Sequence, residues 1–304
     1  MAQAQPLTQA PFVIDAATRL GHVHYTAADL DQQAAFYQDV LGFKLHWRES
    51  DSAGLGAGKE DLLRLTEVKG ARRAHRTTGL YHTAFLVPNA WELAKLLKRI
   101  AETRTPIQGM TDHGTHHAIY LPDSEDNGIE LAMDFPRDRW PKTATEMMSR
   151  NRGLHPDTVF AALEDNDAPW QGLDAATKVG HVHLHVSQLA ETVAFYQEIL
   201  GFEQPFDFSE LAKVSSMGDT ARFFAAGGYH HHIGTNIWQG AGAPPPPADA
   251  IGLRYFTVVV PDEAALAAVT ARLEAAGIDA QETDDGLLIH DPARNGVLLT
   301  SEKK

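Results

Sequence analysis

The sequence predicts an α+β protein built from four β-α-β-β-β modules that pair into two domains. Two observations carry most of that expectation. Gly21-His22-Val23-His24 returns 159 residues later as Gly180-His181-Val182-His183, and 12 of the 23 positions from Gly21 to Phe43 match their counterparts at that offset. Chance does not give such agreement, so the chain is an internal duplication, each copy beginning with the same supersecondary unit. Within each copy, apolar residues switch from strand-like alternation to helical spacing and back, twice over.

Residues 20–27 alternate as a strand, and 30–41 place Ala34, Ala35, Val40 and Leu41 at helical spacing before Gly42, which suits a helix C-cap. Residues 43–48 resume as a strand, the glycine-rich 52–58 read as a turn, and 62–68 close the first module. The second module takes a strand at 79–87, a helix at 90–103 and strands at 107–112, 116–121 and 128–133. Polar text carrying Pro141, Pro156 and Pro169 then forms a connector, with a helix near 156–163. The third module spans 179–238 and the fourth 253–300, the latter with a strand at 255–260 and a helix at 263–275. Pro244 to Pro247 separate them as a stiff, extended spacer. The expected division is a lead at 1–19, a first domain at 20–135 (modules one and two), a linker at 136–176 and a second domain at 177–301.

Composition narrows the function. A formal charge of −14 argues against nucleic acid, and the short basic run Arg72-Arg73-Ala74-His75-Arg76 reads as a solvated linker. No apolar run is long enough for a membrane span, and the first residues lack the basic start and apolar core of a signal peptide, so a cytoplasmic location is expected. Zero cysteines exclude disulfides, thiolate zinc sites and thiol nucleophiles. The chain has 16 histidines, and 11 of them fall within 22–24, 113–117, 181–185 and 230–232.

In a strand, His22 and His24 point the same way. His82 stands in the second module where His22 stands in the first, three residues past Gly79, and Glu130 sits between Ile129 and Leu131. A lone strand histidine is more often a hydrogen-bonded structural residue, and a lone strand glutamate is usually solvated. Equivalent slots in paired modules change that balance. Two histidines and one carboxylate converging from three strands would make a facial triad with open positions.

These residues resemble the vicinal-oxygen-chelate superfamily, and within it the type I extradiol dioxygenases, including the two-domain catechol-2,3-dioxygenase proteins of bacteria. Gly21-His22, Tyr81-His82 and Asn127-Gly128-Ile129-Glu130-Leu131 carry the likeness, and Tyr229 to Gly234 and Trp238 extend it into the C-terminal half. The resemblance implies His22, His82 and Glu130 as ligands of Fe(II), with Mn(II) as the alternative. It places Tyr120 as the active-site tyrosine and His113, ahead of Gly114, as a histidine outside the ligand set. It implies cleavage of catechol or a substituted catechol or hydroquinone by O₂ in aromatic catabolism, with no nucleic-acid or membrane partner and with homo-oligomerisation left open. Phe85, Trp47 and Trp140 are candidates for ring recognition.

The chain also departs from that pattern. The C-terminal slots equivalent to His82 and Glu130 hold Tyr255 and Leu298, and 62–68 offers no acid–base histidine, leaving His24 or His75 as substitutes. His181, His183, His185 and His230 to His232 could hold a second metal, but the favoured expectation is a hydrogen-bonding role in a retained polar cleft. Two other readings stay in view. A glyoxalase I-like isomerase would add a second carboxylate, for which Glu67 is the local candidate, and a binding module would have lost the metal.

Overall fold

A computed structural model describes residues 12–163, 169–213 and 215–302. Its strands form two eight-stranded mixed sheets with helices packed outside them, an α+β arrangement of four modules in two curled halves. Among the described residues, no helix is long and apolar enough to cross a membrane.

Each module folds where its pattern says. The opening strands are Arg19–Ala27, Gly79–Leu86, Lys178–His185 and Gly252–Val260. The helix Ala90–Glu102 starts at Asn89, whose side chain accepts from the Glu92 N–H, and buries Leu93, Leu96, Leu97 and Ile100 on one face. Glu263–Ala275 is capped in the same way by Asp262. The stretch expected as a glycine-rich turn is instead partly a strand, Ser52–Gly56, pairing antiparallel with both Lys44–Arg48 and Asp61–Glu67. Glycine is needed at two positions there: a β-carbon on Gly54 would stand 2.1 Å from Trp47 Nε1, and one on Gly56 2.3 Å from the Glu60 carbonyl oxygen.

The modules do not pair as the sequence suggests. Arg19–Ala27 of the first runs antiparallel to Gly252–Val260 of the fourth, with His24 opposite Tyr255. Gly79–Leu86 of the second runs antiparallel to Lys178–His185 of the third, with His82 opposite His183. One sheet therefore joins modules one and four, and the other joins modules two and three. Neighbours in sequence meet back to back instead. The Tyr25 hydroxyl donates to Thr83 Oγ1 at 2.6 Å, and the Tyr37 hydroxyl donates to Asp123 at 3.1 Å. The second half repeats the latter contact, Tyr196 to Asp291 at 3.1 Å. A single apolar core continues through both sheets, with Tyr25, Tyr37, Phe85, Tyr196, Phe224 and Phe256 fully buried.

The connector contributes structure of its own. Its expected helix forms as Pro156–Phe160, and a second helix, Ala144–Arg150, precedes it. In the third module, two short helices, Phe208–Ala212 and Met217–Thr220, stand in place of the strand Lys44–Arg48 of the first. Helix Ala144–Arg150 and this pair meet in a small apolar cluster separate from the main core.

Candidate metal centre and active-site cavity

The sheet that joins modules two and three curls around a cavity of 430 Å³. His82 comes from one opening strand and His181 from the other, and Glu130 from the adjacent parallel strand Gly128–Asp134. That strand lies hard against its neighbour: a β-carbon on Gly128 would stand 2.0 Å from the Tyr81 carbonyl oxygen, so glycine is required. Tight packing here sets the depth at which Glu130 meets His82.

Glu130 Oε2 lies 3.1 Å from His82 Nε2 and 3.2 Å from His181 Nε2, and the two ring nitrogens are 3.3 Å apart. All three residues are buried. Hydrogen bonds alone serve this arrangement poorly. If both rings donate to the carboxylate, their two N–H groups face each other, and both N···O separations exceed the 2.7–2.9 Å usual for charge-assisted bonds. Three donors at about 2.1 Å from one ion and at right angles to each other lie about 3.0 Å apart. The trio therefore fits a divalent cation. Burial opposes the charge on Glu130, but His181, His116 and His82 outweigh it and hold the carboxyl well below its usual range.

His22 is not part of this group. It lies in the other sheet, with Nδ1 3.4 Å from Thr257 Oγ1 and its ring 5.7 Å from Tyr255, and burial lowers its pKa to about 4. The cause is the sheet pairing: the third module, not the first, lies beside His82. His22 and His181 hold the same position of the repeat, and the structure brings the second copy to Glu130. His181, expected to hydrogen-bond in a retained polar cleft, lies against Glu130 and His82.

Tyr120 and His113 both line the cavity. Tyr120 sits directly opposite Glu130 in the antiparallel pair His116–Pro122 and Gly128–Asp134, and its hydroxyl lies 2.7 Å from His113 Nε2. Burial, reinforced by Glu130, pushes the Tyr120 phenol well above 10. Burial lowers His113 to about 3, which keeps the ring neutral. His116 Nε2 stands 2.9 Å from Glu130 Oε1 and its Nδ1 is 2.8 Å from Thr115 Oγ1.

Residues outside the expected ligand and catalytic set line the same cavity. His231 lines the cavity with its ring 4.1 Å from that of His181. Its Nδ1 is 2.8 Å from His230 Nδ1, and His230 Nε2 is 3.0 Å from Asp134 Oδ1. Burial, then His181, His230 and His116, hold His231 well below 6.5. His183 is also buried in the wall, and its Nε2 has no partner. Tyr81 and Trp238, half-exposed and with rings 5.2 Å apart, flank the mouth, while Phe206 and Phe223 line the wall. Of the expected ring-recognition residues, Phe85 packs against Tyr37 and Phe43 in the core, and Trp47 donates to Asp61 in the other sheet. Trp140 stands behind the site, 5.1 Å from the His230 ring. His24 pairs with Thr66 in the other sheet, and His75 is exposed outside the cavity.

The fold and the site together define a class: paired β-α-β-β-β modules that place two histidines and a glutamate where they could hold a metal inside a curled sheet. The chain belongs to the family described as the Glyoxalase/Bleomycin resistance protein/Dioxygenase superfamily, which matches residues 19–133 and 178–287. It is 38% identical over 292 residues to the catechol-2,3-dioxygenase of Bacillus subtilis (strain 168), covering 93% of this chain and 96% of that one. Among solved structures, a candidate dioxygenase from Bacillus subtilis superposes with a TM-score of 0.63 at 12% identity, covering 94% of this chain and 86% of the other. Glyoxalase I from Zea mays gives 0.55 at 16% identity, covering 93% and 92%. At those identities the two structures speak to the fold alone.

Proposed function

We propose that this chain is an extradiol dioxygenase that opens the ring of catechol, or of a substituted catechol or hydroquinone, with Fe(II) and O₂, Mn(II) being the alternative metal. The observation that carries the reading is the buried His82, His181 and Glu130 trio at a cavity walled by aromatic residues. The 38% identity to a protein named for that activity supports it. When bound, the ion supplies Lewis acidity and a path for electrons between diol and O₂. The residues around it do the rest.

His82 and His181 bring neutral imidazoles and Glu130 the single negative charge. Such a donor set leaves a divalent ion with about one positive charge, which suits a diol that has given up one proton. His231 is placed to accept that proton. It is neutral, it faces the cavity, and the His230 to Asp134 contact fixes its ring. Tyr120, held by His113, keeps its proton and can donate a hydrogen bond to a substrate oxygen that arrives beside Glu130.

The isomerase reading lacks its second acid. Glu67 lies in the other sheet with Oε1 accepting from the Leu30 N–H at 3.3 Å, and Glu130 is the one carboxylate among the described residues of the cavity wall. Anaerobic loading with Fe(II), followed by catechol and air, tests the proposal. The expected result is the yellow ring-opened aldehyde, with both added oxygens labelled when ¹⁸O₂ is supplied. A protein purified with stoichiometric zinc or nickel, and unable to open the ring after iron loading, would turn the reading to an isomerase.

A further inference from the structure

Apart from Glu130, the described residues of the cavity wall carry no permanently charged side chain. Among the described residues that line it there is no lysine and no arginine, and its uncharged polar members are few, Gln108, Thr111, Thr115 and Asn151 among them.

The roof adds a second, independent observation. Met147 and Met148 reach the cavity from helix Ala144–Arg150, and Met217 from helix Met217–Thr220. They are three of the six methionines in the chain. They pack with Phe208, Leu211 and Phe223 in the apolar cluster that stands apart from the main core. This roof is where the duplication is broken, because the third module exchanges a strand for two short helices and the connector adds another. Unbranched thioethers adapt to irregular apolar shapes at little cost.

We infer that the ring this site accepts carries an uncharged, apolar substituent, so that the substrate class is alkyl-substituted catechols and carboxylated catechols are rejected. The inference rests on the dioxygenase reading and deepens it. With the two diol oxygens anchored at the metal trio, the rest of the ring lies under the methionine roof. A methyl or longer alkyl group gains thioether and aromatic contacts there. A ring carboxylate would be stripped of water with no lysine or arginine to meet it, in a cavity that already holds the charge of Glu130.

The test compares catechol, 3- and 4-methylcatechol and 3,4-dihydroxybenzoate on the metal-loaded enzyme. Turnover is followed in air, and affinity is followed by anaerobic calorimetry. The methylcatechols should match or exceed catechol in kcat/KM, and the carboxylated diol should fall ~100-fold or more below them in both kcat/KM and Kd. Met148→Arg, and separately Met217→Arg, should narrow that gap by ~10-fold or more by giving the carboxylate a partner. A carboxylated diol within about tenfold of methylcatechol in both measures overturns the inference. Failure of the dioxygenase reading looks different. No ring would open, yet the Kd series would still rank methylated above carboxylated diols if the polarity argument holds. Equal affinity for both, or binding of neither, would overturn it too.

Discussion

His181 Nε2 stands 3.2 Å from Glu130 Oε2, although the two residues are 51 positions apart and belong to opposite halves of the duplication. The candidate metal site is therefore built only in the folded chain, at the seam between modules two and three. His82→Ala, His181→Ala and Glu130→Ala should each reduce bound metal to below about a tenth of stoichiometric, because a three-residue site cannot spare a donor. His22→Ala should leave it intact. Metal per chain, measured by elemental mass spectrometry on the purified variants, decides the matter. Full metal in His181→Ala together with loss in His22→Ala would restore the first module to the site.

Local pattern made the modules legible and left their partners hidden. Strand alternation, helix caps and the repeat placed 19–27, 79–86, 90–102 and 263–275 close to where they lie. They also marked His82 and Glu130 as occupants of equivalent slots. All four opening strands, however, carry nearly the same pattern, and nothing local says which two will hydrogen-bond. That is settled by long-range packing such as Tyr25 on Thr83, which turns consecutive modules back to back. His22 and His181 are the same residue of the repeat, so choosing between them needs the sheet partner. From sequence, His231 reads only as a possible second-site ligand: it lies in the loop between Ala221–Phe224 and Ile233–Asn236, and the pairing of modules two and three brings that loop to the cavity of His82 and Glu130. The roof was missed because residues 144–150 read as polar connector. Their few apolar side chains face a cavity and not the core.

Tyr120 and His113 form a hydrogen-bonded pair outside the ligand set, and their removal should be felt in turnover and not in metal content. Tyr120→Phe should keep its metal and lose on the order of 10²- to 10⁴-fold in kcat, the range for a missing proton donor or hydrogen bond. Steady-state rates at saturating catechol and oxygen, alongside metal analysis, check this. An unchanged kcat would remove Tyr120 from the reaction. His231→Gln should behave in the same way if His231 accepts the diol proton, whereas His24→Ala and His75→Ala should leave kcat within about twofold.

Arg64 fills the cup of the other sheet, where His22, His24 and Tyr255 hold the positions taken by His181, His183 and His82 in the active one. Its guanidinium bonds Asp61 at 2.9 Å and Asp285 at 2.6 Å, and it lies 5.9 Å from the centre of the Trp47 ring. A fixed side-chain cation thus stands in a cleft that offers no carboxylate at the Leu298 slot. Arg64→Leu would leave Asp61, largely buried, without its main counter-charge. It should lower stability by about 1–3 kcal/mol with metal content and kcat unchanged, the cost of one buried polar group losing its partner. Urea titration of the two proteins measures it. A second equivalent of metal bound by Arg64→Leu would show instead that the arginine was suppressing a working site.

Asp291 should make stability fall as pH rises through weak acid. It is fully buried at the turn before the last strand and accepts hydrogen bonds from the Tyr196 hydroxyl, the Asn295 N–H and the Asn295 side chain. Burial wins over these bonds and pushes its pKa up from 3.8 to about 6. Between those two values the unfolded chain has released the proton while the native chain keeps it. Unfolding then releases a proton, and the native state loses ground as pH increases, up to about 3 kcal/mol once both states are ionised. Below about pH 4 both states are protonated and the effect vanishes. Asp291→Asn cannot ionise, so the stability difference between wild type and variant should change by roughly that amount between pH 4 and 7, against the wild type at the higher pH. Urea midpoints at pH 4, 5, 6 and 7 for both proteins give the curve. A difference that stays flat across the series would mean that the carboxylate is already ionised in the native turn, held by Tyr196 and Asn295 against the cost of burial.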